Sequence, residues 1–180
     1  MTPGARGNRA AVLVVAYGAW IVAFEAVGRY AATLRTVDLT TPWDAAIPLI
    51  PAFVWAYELC YLLPFLPLLV LQDWRRFDVA LTAMVIANLT AFAVYLLVPE
   101  SFPRPALGST LSERVLALEY AMDFSPGANN LPSMHVAASW IVVRTVHGQR
   151  GLVLDAVAVA LAIAVSASSR PRPAPPTARR

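Results

Sequence analysis

Five long apolar segments are the feature of this sequence that most restricts its fold. They cover roughly residues 10–27, 46–71, 79–98, 133–146 and 152–167. A membrane-spanning helix needs about 20 apolar residues, with about 17 as a lower limit, so the last two segments are short and must borrow flanking residues. The segments predict an all-α, polytopic membrane helical bundle with about five spans.

The composition agrees with a membrane domain. Hydrophobic residues make up 58% of the chain and charged residues 14%, whereas soluble proteins carry about 25% charged residues. The net charge is +3, and every basic side chain other than histidine is an arginine. The sequence has no basic stripe with interleaved aromatic residues, so we do not expect it to bind nucleic acid. Two histidines and one cysteine do not make a metal-ligand cluster, so we expect no metal and no cofactor. Cys60 is expected to be an inert core thiol.

The second apolar segment is rich in proline, and each proline removes a helical hydrogen bond. A kinked helix is therefore expected, stabilised by neighbouring helices. Glu58 lies in the middle of this segment. Because a carboxylate is costly in hydrocarbon, we expect Glu58 to bond to a neighbouring helix rather than to act in catalysis.

Arginine positions indicate which ends of the spans share a side. If five spans alternate, one side carries Arg6, Arg9, Arg75, Arg76, Arg144 and Arg150, and the other carries Arg29, Arg35, Arg104 and Arg114. This bias favours a cytoplasmic N-terminus and an extracytoplasmic third loop. The arginine-rich C-terminal tail would then also lie outside, which departs from the rule.

The third loop, residues 99–132, contains the stretch "TLSERVLALEYAMDF". Thr110 followed by Glu113 is typical of a capping box. Apolar residues then recur at helical spacing: Leu111, Val115, Leu118 and Met122. We expect a short amphipathic helix that lies on the membrane surface or on the bundle.

The stretch "NNLPSMHVAASW" places a histidine at the start of the fourth apolar segment. A helix start offers unpaired N–H groups and binds anions well. Ser133 adds a hydroxyl, His135 can carry a proton near neutral pH, and Arg104 can grip a phosphate with two bonds. These residue types fit a phosphate ester at the bilayer surface. They fit equally well a helix cap at Ser133 and a satisfied interfacial histidine.

The motifs "FPRP" and "NNLPSMH", together with the proline-rich "IPLIPAFVWAYELCY", resemble the phosphatidic acid phosphatase type 2 / haloperoxidase superfamily. The likeness covers roughly residues 43–168 and is greatest to the inositol phosphorylceramide synthase-like, inositolphosphotransferase branch, whose members have six spans. The residues that match the first two family motifs are Arg104, Pro105, Pro132, Ser133 and His135. Leu97 stands at the lysine position of the first motif, and Met134 stands at the glycine position of the second.

The third family motif, which supplies the nucleophilic histidine and its orienting aspartate, is absent. Counting from Ser169 and Arg170, those positions hold Pro176 and Arg180. We therefore expect a truncated membrane-embedded domain over residues 1–168, interrupted by a frameshift, and a disordered Pro/Arg-rich tail over 169–180. The alternative is a short natural tail.

His147 is the second histidine of the chain. It lies at the opposite end of the fourth helix from His135, about 18 Å away at 1.5 Å per residue, so it cannot replace the missing nucleophile.

The resemblance implies an integral membrane lipid-phosphate phosphatase or phosphotransferase, with a lipid phosphate as substrate and membrane lipids as partners. In the family mechanism the second-motif histidine, here His135, is the catalytic general acid, while Arg104 and Ser133 bind the phosphate. Without the nucleophile we expect catalysis to be incomplete. The alternatives are a non-catalytic binder of lipid phosphate and an unrelated membrane transport component. The expected location is a bacterial cell membrane with the site on the extracytoplasmic face.

Overall fold

The computed structural model describes residues 3–39, 49–101, 104–122 and 131–168. The tail 169–180 and residues 46–48 of the second apolar segment therefore lie outside the described residues. The elements in chain order are α1 (Pro3–Ala31), β1 (Val37–Asp38), α2 (Val54–Cys60), α3 (Leu66–Val70), α4 (Trp74–Leu97), β2 (Glu100–Ser101), α5 (Leu111–Met122), α6 (Met134–Val146) and α7 (Leu152–Ser168). The predicted helical class is confirmed, because the described chain is mostly helical.

In the part of the chain that the structure describes, three helical stretches are long and apolar enough to cross a membrane. They are Gly7–Ala31, Pro51–Val70 and Trp74–Leu97, whereas Met134–Val146 and Leu152–Ala167 are apolar but shorter. Many large apolar side chains on these stretches are exposed, among them Val15, Leu69, Leu89 and Leu97. An exposed apolar surface of this extent marks a membrane contact, so the chain has a membrane location.

The second apolar segment forms one helical stretch, Pro51–Val70, and it is irregular, as its prolines predicted. 3₁₀ turns at Pro51–Phe53 and Leu63–Phe65 precede α2 and α3, and a proline occupies the first or second position of both turns and of α3. Proline fits the first turn of a helix but not its interior, which explains why new pieces begin there. The expected partner for Glu58 is not found: within the described residues its half-buried carboxylate makes no hydrogen bond.

Contacts between helix ends show how the chain alternates in direction. At one end, the Arg9 guanidinium lies 3.1 Å from the Asp78 carboxylate, and the Arg150 Nε donates to the Val70 carbonyl at 3.3 Å. At the other end, β1 and β2 form a short parallel pair. The segments that follow α1 and α4 therefore meet at the same end of the bundle. Helix α6 begins at this end and runs back toward the other.

Helix α6 lies in the middle of the bundle and packs against α3, α4 and α7. Val142 and Val146 on α6 and Val165 on α7 are fully buried. Ser139 is also fully buried, and its hydroxyl donates to the His135 carbonyl at 2.7 Å. This packing fixes the position of the helix whose first turn carries the predicted site.

Candidate functional site

The first turn of α6 begins where the sequence predicts. Ser133 is its N-cap, with extended backbone angles, and its Oγ accepts a hydrogen bond from the Val136 N–H at 3.3 Å. Helix starts leave several N–H groups without partners inside the helix, and Ser133 satisfies one of them. The capping role considered from the sequence is thus confirmed, and it leaves the Ser133 hydroxyl proton available for donation.

Two buried side chains from the end of α4 and the following strand hold the residues before this turn. The Tyr95 hydroxyl donates to the Pro132 carbonyl at 2.7 Å, and the Leu131 N–H donates to the Glu100 carboxylate. Tyr95 and Glu100 are each 1% exposed. The sequence did not point to either residue, because their partners are more than 30 positions away along the chain.

His135 is enclosed by two tyrosine rings. Tyr57 belongs to α2, and Tyr61 is the residue that follows α2. The His135 ring centroid lies 4.4 Å from that of Tyr57 and 5.1 Å from that of Tyr61. The Tyr57 hydroxyl and His135 Nδ1 are 3.3 Å apart and form a hydrogen bond. His135 Nε2 is buried and has no hydrogen-bond partner among the described residues.

The direction of the hydrogen bond from Tyr57 decides the chemistry of His135. When the Tyr57 hydroxyl donates to Nδ1, the ring proton of a neutral His135 sits on Nε2 and makes that atom a donor. When Nδ1 donates instead, Nε2 becomes an acceptor. In both tautomers the buried Nε2 lacks a partner within the described part of the chain. The satisfied interfacial histidine considered from the sequence therefore applies to only one of the two ring nitrogens.

Met134 stands where the motif that the sequence resembles has glycine. Its side chain is 6% exposed and packs in a buried cluster with Ala91 and Tyr95 of α4. The larger residue thus serves as a core contact that joins the first turn of α6 to α4.

Arg104 is bound to α5. Its guanidinium carbon lies 4.6 Å from the centre of the Tyr120 ring, and one of its nitrogens donates to the Tyr120 carbonyl. Within the described residues no hydrogen bond joins Arg104 to Ser133 or to His135. The three predicted site residues belong to one end of the bundle, but the structure does not join them directly.

Helix α5 links the Arg104 region to the aromatic rings around His135. The predicted capping box is confirmed: the Thr110 N–H donates to the Glu113 carboxylate at 3.0 Å, and the Glu113 N–H donates to Thr110 Oγ1 at 3.4 Å. Hydrogen bonds from the Thr110 hydroxyl and from the N–H groups of Thr110 and Gly108 hold the pKa of the Glu113 carboxyl below its usual value. The Trp55 indole of α2 donates to the Ser112 hydroxyl at 3.1 Å, which docks α5 on α2.

A cavity of about 310 Å³ lies next to His135 between α1, the second segment, α4 and α6. Met134 and His135 line it at the start of α6, and Ala138 and Ile141 line it further along that helix. Neither Arg104 nor Ser133 contributes to its wall. The histidine therefore belongs both to the polar helix start and to an apolar cavity inside the bundle.

The second histidine lies at the far end of α6, as predicted. His147 ends the helix, and its Nδ1 lies 3.0 Å from the Asp155 carboxylate of α7. Asp155 also accepts a hydrogen bond from the Gly148 N–H at 3.1 Å. These contacts hold the connection between α6 and α7 and keep His147 away from His135.

No protein-family model, curated protein or solved structure that was compared with this chain matches it.

Proposed function

We propose that this chain is an integral membrane protein of five spans that binds a lipid phosphate headgroup at the start of α6. Arg104 and Ser133 bind the phosphate oxygens, and His135 is the group that can protonate a leaving alcohol. The observation that supports this most directly is the first turn of α6. It combines a capped helix start, which favours anions, with a histidine nitrogen that is buried and unpaired in the described chain.

The contacts that hold this turn also favour a binding site. Tyr95 and Glu100 bond the backbone just before Ser133, so the turn is fixed before any ligand arrives. A site that is already ordered loses less conformational freedom on binding. Arg104 follows Glu100 closely in the chain and stays near the same end through α5.

Orthovanadate, a phosphate mimic, tests this proposal in the purified full-length chain. We expect measurable binding by titration calorimetry, and we expect Arg104→Gln to weaken it about ten- to a hundredfold, since a hydrogen bond to a charged group contributes about 1.5–3 kcal/mol. Arg114→Gln is the matched control, because Arg114 is an exposed arginine of α5 that donates to the Ser109 carbonyl. Equal affinities for wild type and Arg104→Gln would reject the phosphate site.

We also propose that the 180-residue chain binds lipid phosphate without efficient turnover. Covalent phosphoryl transfer needs a nucleophile beside the proton donor, and the other histidine, His147, is paired with Asp155 at the far end of α6. Loss of one member of such a group commonly lowers the rate by several powers of ten. We expect phosphate release from phosphatidic acid in nanodiscs to be equal for wild type and His135→Asn. A fast release that depends on His135 contradicts this.

The five-span arrangement has α6 and α7 as the fourth and fifth spans, with the N-terminus cytoplasmic and His135 near the extracytoplasmic face. The alternation of helix ends supports it, because Arg9 and Arg150 lie at the end of the bundle opposite to β1 and β2. An impermeant thiol reagent should label a cysteine placed at position 130 in intact cells and should not label one at position 76. The reverse pattern overturns the orientation.

A further inference from the structure

The cavity beside His135 extends along the helix axes rather than forming a compact hole. Its lining runs over residues 13–23 of α1 and 81–92 of α4. At 1.5 Å per residue each stretch is about 15–17 Å long. This is about half of the ~30 Å hydrocarbon thickness of a bilayer, and both stretches lie in the middle part of their helices.

The wall of the cavity is apolar apart from a few polar groups. Among the residues that the structure describes, no Asp, Glu, Lys or Arg lines it, and most of its side chains are aliphatic or aromatic. Two of its lining residues, Trp20 and His135, have buried ring nitrogens, Nε1 and Nε2, without a hydrogen-bond partner in the described chain. A buried polar group that stays unpaired is costly, so the Trp20 N–H would gain from an acceptor supplied by a ligand, and His135 Nε2 would do so only in the tautomer in which Tyr57 donates to Nδ1.

The rim of the cavity lies on the outer surface of the bundle. Val85 and Leu89 of α4 line it and are 45% and 62% exposed. They belong to the exposed apolar surface of a helix that is long enough to cross a membrane. A molecule dissolved in the bilayer therefore reaches the cavity directly from the hydrocarbon phase.

We propose that this cavity binds the hydrocarbon chain of a membrane lipid, with an oxygen acceptor of that lipid near the Trp20 N–H. The cavity extends about 15–17 Å along the helices, its wall lacks charged side chains within the described residues, and its rim faces lipid. The proposal rests on the proposed function only for the headgroup, because the bound hydrocarbon chain would belong to the lipid whose phosphate binds at the start of α6.

Photolabelling with a long-chain alcohol that carries a diazirine in its chain tests this site. The full-length protein is labelled in nanodiscs with and without excess unlabelled long-chain alcohol, and the labelled residues are located by mass spectrometry. We expect label at Met84 and Ile141 to fall when the competitor is added. Label at Val15 and Leu97, which are exposed and outside the cavity, should not fall, because bulk lipid contact cannot be saturated.

Two variants separate the cavity from general changes in the fold. Ala87→Leu fills the cavity and should weaken the saturable labelling roughly tenfold, whereas Ala93→Leu, on the exposed face of the same helix, should leave it unchanged. Trp20→Phe keeps an aromatic ring and removes the N–H. It should weaken labelling by the alcohol about two- to tenfold and leave labelling by a diazirine hydrocarbon unchanged.

Labelling of cavity residues that does not saturate, or that Ala87→Leu leaves intact, overturns the proposal. Cross-links from these positions to a second copy of the chain would also overturn it, because the cavity would then be a protein interface. The long-chain alcohol has no phosphate, so vanadate binding and binding of the hydrocarbon chain can fail separately. Loss of vanadate binding with saturable chain labelling rejects the proposed function alone, and the opposite result rejects the cavity alone.

Discussion

Replacement of Tyr95 by phenylalanine tests whether α4 holds the start of α6. The substitution removes one oxygen and keeps the ring, so the packing against Met134 and Phe92 is retained. The lost hydrogen bond joins the Tyr95 hydroxyl to the Pro132 carbonyl at 2.7 Å, the usual length for this type of bond. Water cannot readily replace it, because Tyr95 is 1% exposed.

The expected cost follows from this geometry. A hydrogen bond of this type contributes about 0.5–1.5 kcal/mol, and a buried group left without its partner costs about 1–3 kcal/mol. We therefore expect Tyr95→Phe to lower the free energy of unfolding by about 1–3 kcal/mol. For a chain of this size each kcal/mol corresponds to about 2–4 °C in the unfolding midpoint.

Thermal unfolding of the purified protein, followed by circular dichroism in one detergent, measures this effect. Tyr30→Phe is the matched control, because Tyr30 is 60% exposed and its hydroxyl makes no hydrogen bond within the described residues. We expect the control to unfold with the wild type and Tyr95→Phe to unfold earlier and to bind vanadate more weakly. If Tyr95→Phe unfolds at the wild-type temperature, the Tyr95 bond does not hold the start of α6.

Two further predictions concern groups outside the apolar core. The folded-state pKa of Glu113 is lowered, so its stabilisation of α5 is complete above its ordinary pKa of 4.5 and is lost as the pH falls through the folded pKa. A spin label at Leu111 should become more mobile over that acid range in the wild type, and Glu113→Ala should be mobile at every pH. Arg9 pairs with exposed Asp78 and also lies 4.9 Å from the centre of the Trp74 ring. Denaturant titrations should therefore show that Arg9→Ala is less stable than Asp78→Asn by about 0.5–1 kcal/mol, the value of an exposed cation–π contact. If both variants lose the same free energy of unfolding, the cation–π contact contributes no stability.

Features that depend on neighbouring residues were predictable from the sequence. The capping box of α5 and the start of α6 at Ser133 both rest on side chains that bond backbone three positions away. The long apolar segments likewise predicted the presence of α1 and α4, although the observed ends differ from the predicted ones by one to seven residues. In the second segment the prolines signalled an interruption, but the pattern did not show that it takes the form of 3₁₀ turns before α2 and α3.

Contacts between distant parts of the chain were not predictable in the same way. Tyr95 and Glu100 bond residues more than 30 positions away, and nothing in their local sequence marks them. Tyr57 and Tyr61 did carry a signal, because residues four apart share one face of a helix, and this face meets His135. Which side chain Tyr57 and Tyr61 enclose depends on how α2 packs against α6. Composition and residue spacing do not determine that packing.

The short length of α6 explains why its first turn is so heavily bonded. Its 13 residues span about 20 Å, less than the ~30 Å hydrocarbon core. Irregular backbone at membrane depth is tolerated only where protein or a cavity covers it. Accordingly, Glu100, Tyr95 and Ser133 each bond one backbone group of residues 131–136. These three side chains do not bond His135 Nε2 or the other N–H groups of the first turn, and these are the groups that the proposed lipid phosphate would bind.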